Sequence, residues 1–243
     1  ALLTRNRDKL KSITDGFFKP LLWLLPIIGI VLILQNHFSA TLVLCALAVI
    51  LMLLAGCRLR YFIIIGAPIV AVGISALLFK GQGFRLQRFI TFLDPWQDAS
   101  GDGWQIIQSL YAIGSGGLFG VGLGESKQKY LYIPEPHNDF IFAVLAEELG
   151  FIGCALVIAL FAVLVWRGIT IAMKAPDMFG NLLAAGITSM IALQVLINIA
   201  VVTSSMPVTG MPLPFFSYGG TALMIILAAV GILLSVSRAG NRE

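Results

Sequence analysis

The chain has 243 residues, 58% of them hydrophobic and 12% charged, with a formal net charge of +4. Ordinary soluble domains carry about 25% charged residues, so these figures exclude a soluble globular protein and describe an integral membrane protein of mean hydropathy +0.95. In that setting the Lys and Arg excess reports topology, and no nucleic-acid partner is expected.

A helix needs about 20 apolar residues to cross a bilayer core. Six segments approach that length: 17–35, 40–56, 61–79, 140–166, 182–202 and 221–236. Pro26 and Pro68 fall inside the first and third, where neighbouring helices can satisfy the freed carbonyls. The expected fold class is an all-α polytopic membrane protein, one transmembrane domain over 1–243 with six transmembrane helices. The chain begins with Ala1 and has no ordered n-region, h-region and cleavage site, so an N-terminally truncated fragment without a signal peptide is expected. Cys45, Cys57 and Cys154 lack metal-ligand spacing and lie in or beside apolar runs, as small buried hydrophobes do.

Basic residues sort the spans by side. Arg5, Arg7, Lys9, Lys11 and Lys19, then Arg58 and Arg60, then Arg167 and Lys174, then Arg238 and Arg242 fall at alternate ends of the six segments. One cytoplasmic face bearing both termini follows. Lys80, Arg85, Arg88, Lys127 and Lys129 belong to the opposite face, all in one long extracytoplasmic segment, 80–139.

Loops beyond about 12–15 residues are usually functional or disordered. This one contains FLDPWQD, with a turn at Asp94-Pro95, then WQIIQSLYAIG at helical spacing, then GSGGLFGVGLG. Those glycines miss the G-x-G-x-x-G register and follow no strand, which argues against a dinucleotide site. Close packing of short re-entrant or interfacial helices accounts for them better. A second extracytoplasmic loop, 201–220 (VVTSSMPVTGMPLPFFSYGG), is too apolar for an exposed connection and is expected to fold back over the bundle mouth.

The stretch YIPEPHNDFIFAVLAEELG (132–150) sets His137, Asp139, Glu147 and Glu148 against apolar runs. A carboxylate close to hydrocarbon is costly and by default marks a function, and partial desolvation moves its pKa toward the range of a general base. Asp139 also precedes FIFAVLA, where Asp suits a helix N-cap. Both readings stand on the residues alone. An i, i+4, i+8 row puts Asp139, Ala143 and Glu147 on one helical face, with Glu148 turned about 100° away. Lys127, Lys129, Arg85 and Arg88 give the same side four cations suited to phosphate or to anionic headgroups. No nucleophile triad, metal cluster or P-loop is present.

With these residues in view, the sequence resembles the SEDS family (shape, elongation, division and sporulation), which includes FtsW, RodA and SpoVE. The matching runs are DPWQD with GWQIIQS, then GLFGVGLGESKQKYLYIPEPHNDFIFAVLAEELG, then NIAVVTSSMPVTGMPLPFFSYGG. They look closer to the division and sporulation members than to the elongation member. The resemblance implies helices five to ten of a ten-helix bundle that polymerises lipid II into glycan strands. It makes Asp139, in HNDF where the family has H-T-D-F, the catalytic carboxylate. It implies substrate-binding roles for Lys129, Gln128, His137, Glu147, Arg85, Arg88, Lys127, Ser217 and Tyr218, with Lys129 foremost against the leaving pyrophosphate. Two departures stand out: Asn138 replaces the threonine, and His37 in QNHFSAT replaces an aspartate, so no role carries over to it. The implied partners are a class B penicillin-binding protein and division proteins at the bacterial cytoplasmic membrane. No cofactor is called for, with a divalent cation left open. A lipid II flippase or transporter and a non-catalytic fragment are the alternative readings.

Overall fold

A computed structural model describes residues 2–5, 10, 12–31, 38–64, 66, 90–101, 103–128 and 137–240. The regular elements among them are all helical. A wide helical turn, Ile13–Phe18, leads into α1 (Lys19–Gly29), followed by α2 (Phe38–Leu54), α3 (Trp104–Gly116), α4 (Ile141–Met173), α5 (Met178–Val202) and α6 (Gly220–Gly240). Of these, α4, α5 and α6 are long and apolar enough to cross a membrane, while α1 and α2 are shorter apolar helices. Leu156, Leu160 and Trp166 on α4, with Met224 and Ile225 on α6, expose large apolar side chains, which suits a lipid surround. Most of the expected span 61–79 lies outside the described residues, as do His37, Arg85, Arg88 and Lys129.

The helices outrun their apolar cores because hydrogen bonds, not hydropathy, set their ends. α4 continues past Arg167 to Met173. α5 begins before its apolar run because Asp177 caps it, Oδ1 accepting from the Gly180 N–H at 3.0 Å. Asn181 Nδ2 then donates to the Ala172 carbonyl at 2.7 Å and ties the α4–α5 turn.

The chain divides into two compact units, one of 1–79, 165–190 and 228–243, the other of 80–164 and 191–227. The first is built on Phe17, Met52, Cys57, Tyr61 and Leu182, with the Phe17 ring edge-on to Phe62 at 5.0 Å. Cys57 is buried there, donating from Sγ to the Gly16 carbonyl at 3.1 Å, and burial pushes its thiol pKa up. The second unit buries Ile106, Ile107, Phe140, Ala143, Val202 and Leu213. In it, Ser109 Oγ donates to the Val202 carbonyl at 2.7 Å.

Within the second unit α4 is broken. Gly150 has φ 67° and ψ −166°, a conformation that costs an L-residue heavily. In an unbroken helix the Glu147 and Glu148 carbonyls would accept from Phe151 and Ile152. Instead they accept from Val121 at 3.0 Å and Gly122 at 3.1 Å, while the Phe151 and Ile152 N–H groups donate to the Gly117 and Leu118 carbonyls at 2.9 and 3.2 Å. The two lost helical bonds are thus replaced by four to the glycine-rich segment. Each backbone polar group left unpaired in hydrocarbon would cost several kcal/mol. The segment can come this close only without side chains: a Cβ on Gly116 or Gly120 would strike the Ala146 or Glu148 carbonyl oxygen. The expected close packing is therefore present, and 117–126 achieves it as irregular backbone rather than as helix.

Candidate functional site

Asp139 sits in a turn, 137–140, ahead of α4. The first α4 acceptor is the Phe140 carbonyl, which receives the Ala143 and Val144 N–H groups at 2.9 and 3.4 Å. Phe140 thereby holds the N-cap position, and Asp139 lies one residue ahead of it.

Three successive carbonyls of this turn are held from outside. The Tyr218 N–H donates to His137 O at 2.8 Å. Ser217 Oγ donates to Asn138 O at 2.6 Å and accepts from the Leu213 N–H at 2.7 Å. Asn198 Nδ2 donates to Asp139 O and to Met211 O, both at 2.8 Å. α5 and the 203–219 connection together grip the turn through its main chain. The Asp139 carboxylate lies against Gly210, where an added Cβ would stand 3.3 Å from Oδ2 and φ is 65°. Asn198 is 1% exposed and its Oδ1 has no partner among the described residues; the same holds for Gln194 Oε1, one turn back on α5, and for Thr209 Oγ1, beside Gly210.

Glu147 is built differently. It is 3% exposed, and its carboxylate is filled by three donors from one stretch of chain. Ser126 Oγ donates to Oε2 at 2.5 Å, the Lys127 N–H to Oε1 at 3.2 Å and the Gln128 N–H to Oε2 at 3.3 Å. Charged hydrogen bonds of this kind are what make a buried carboxylate tolerable.

The expected site residues thus fall into two groups. His137, Asp139, Ser217 and Tyr218 meet at the gripped turn, His137 and Asp139 through main-chain oxygens, Tyr218 through its main-chain N–H and Ser217 through a hydroxyl engaged by the backbone on both sides. The Tyr218 ring is 84% exposed. Glu147, Gln128 and Lys127 meet at the break, with the Lys127 side chain exposed. Asp139 precedes the helix, so the expected row with Ala143 and Glu147 begins only at Ala143, which is fully buried. Asn198, Ser126 and Gly210 were not expected. An amide inside IALQVLINIA was the available signal for Asn198, since a polar side chain in an apolar helix must find partners. Among the described residues, no group of three or more His, Cys, Asp or Glu could hold a metal ion.

"Stage V sporulation protein E" of Bacillus subtilis is 47% identical over 238 residues, covering 97% of this chain and 64% of its own length. "Probable peptidoglycan glycosyltransferase FtsW" of Geobacter sp. (strain M18) is 46% identical over 236 residues, covering 97% and 63%. The chain therefore spans somewhat under two thirds of these relatives. A chain from a peptidoglycan synthase complex, solved for its structural coordination of polymerization and crosslinking, superposes with TM-score 0.81 at 29% identity, covering 100% of this chain and 68% of that one. The FtsW/RodA/SpoVE family model, described as "Cell cycle protein", matches residues 1–242. With a fold, a sequence and a family model in agreement along nearly its whole length, this chain belongs to the FtsW/RodA/SpoVE family.

Proposed function

We propose that the protein of which this chain is part is a peptidoglycan glycosyltransferase that polymerises lipid II for cell division or sporulation. The observation that carries the reading is Asp139, a carboxylate on a turn gripped through three successive main-chain oxygens at the start of an apolar membrane helix. The names of the SpoVE and FtsW relatives support it.

In the proposed reaction Asp139, ionised, takes the proton from the 4-hydroxyl of the acceptor GlcNAc. The freed oxygen bonds to C1 of the donor MurNAc. The C1–O bond to pyrophosphate breaks with inversion, and undecaprenyl pyrophosphate leaves with the electron pair. Cations near the leaving group stabilise its charge; Lys129 is the first choice, with Arg85, Arg88 and Lys127 behind it. The reading needs no cofactor of its own, and a divalent cation, where one takes part, belongs with the pyrophosphate.

The same proposal includes six spans equivalent to helices five to ten of a ten-helix bundle in the bacterial cytoplasmic membrane. It sets 80–139 and 201–220 on the outer side, with a class B penicillin-binding protein as partner. The lipid tail then stays in the bilayer while the sugars reach Asp139.

The test uses purified lipid II with this chain, alone and extended by the region of the SpoVE relative that it does not cover. Glycan strands from the extended protein are expected. Movement of lipid II across vesicles without strands would favour the flippase reading, and strands from neither form would leave a binding fragment.

A further inference from the structure

The proposed reaction does not use the Glu147 carboxylate, yet it lies almost fully buried in the apolar start of α4. A carboxylate in such surroundings is costly unless every lone pair is engaged. Here, among the described residues, the engagement is local in sequence: Ser126, Lys127 and Gln128 supply three donors. The same residue's main-chain oxygen accepts from Val121, so side chain and backbone of Glu147 hold one segment at two points.

In sequence that segment is followed by Lys129. Glu147 holds 126–128, and Tyr218, Ser217 and Asn198 hold 137–139.

We propose that Glu147 is a positioning residue: its carboxylate latches the 126–128 backbone and so sets where the Lys127 cation meets the pyrophosphate of the lipid-linked donor. The latch touches no reacting atom and acts through the segment it holds. It rests on the polymerase reading for its consequence, though not for its geometry. Glu147→Gln keeps one oxygen for Ser126 and Gln128 but turns an amide donor toward the Lys127 N–H, so one end of the latch opens. Ser126→Ala removes a single donor, and Ser126→Thr keeps it.

The experiment compares these variants and Asp139→Asn in the extended protein, by amide exchange over 121–128 and by separate KM and kcat for lipid II. Glu147→Gln should exchange faster at Lys127 and Gln128 and raise KM about tenfold with kcat within about twofold, the size expected for one charge-assisted contact. Ser126→Ala should move both readouts the same way by less, and Ser126→Thr should restore them. Unchanged exchange in Glu147→Gln and Ser126→Ala overturns the latch. A fall in kcat at constant KM overturns it too, by putting Glu147 in the chemistry. Should Glu147→Gln not fold, Ser126→Ala against Ser126→Thr decides. If Asp139→Asn matches wild type, the polymerase mechanism fails while amide exchange still judges the latch.

Discussion

The turn at 137–140 leads into α4 and the break at 147–152 lies within it; each carries a carboxylate, but they are fastened in opposite ways. The turn is held by its main chain: the three oxygens of His137, Asn138 and Asp139 accept from Tyr218, Ser217 and Asn198. At the break the carboxylate itself is the fastening, and its oxygens are filled by Ser126, Lys127 and Gln128. A residue gripped by its backbone can be changed at the side chain without releasing its position. A residue gripped by its side chain cannot. This difference separates a candidate base from a candidate support, although both are acids against the same apolar run.

The contrast can be broken first at the stitching of α4. Gly150→Ala puts a Cβ into the Gly120 backbone at φ 67°, costing about 1–2 kcal/mol for the conformation and about 1–3 kcal/mol for the clash. The thermal midpoint of the detergent-solubilised protein should fall further for this variant than for any other proposed here. A midpoint within a degree of wild type would mean that the break is not a fixed feature.

Asn198→Ala comes next, and it tests the grip on the turn. It removes the Asn198 amide from the part-buried main-chain oxygens of Asp139 and Met211, at about 0.5–1.5 kcal/mol apiece. Polymerisation should fall with a smaller loss of midpoint than Gly150→Ala causes. An unaffected rate would show that the turn keeps its place without α5.

The smallest effect is expected at Glu148. Its main-chain oxygen takes the Gly122 N–H, and Glu148→Gln leaves that bond intact. Its rate should stay closer to wild type than that of Glu147→Gln at equal protein level. The reverse order would undo the contrast between the two glutamates.

How much of this was legible beforehand varies with the physics involved. Apolar runs announced α4, α5 and α6 because a membrane helix must be apolar throughout, but they missed the helix ends, since Arg167, Lys174 and Asn181 continue or tie helices through hydrogen bonds that hydropathy does not record. The glycines at 116–124 signalled close packing; that they pair with a break at Gly150 was invisible, because AEELGFIG reads as an uninterrupted helix. Asp139 and Glu147 were both visible as acids against apolar neighbours. Their different surroundings were not, because these depend on residues 59 and 21 positions away, Asn198 and Ser126. Pairings at that separation belong to the fold and leave no local pattern.

The central claim, that Asp139 acts as the base, is tested most directly by the rate of glycan synthesis from purified lipid II in Asp139→Asn. The substitution preserves shape, and all three grips on the turn go to main-chain oxygens, so the thermal midpoint and lipid II binding should match wild type. General-base assistance is worth about 10²–10⁴ in rate, and polymerisation should fall by that amount. A wild-type rate from the folded Asn variant would contradict the account.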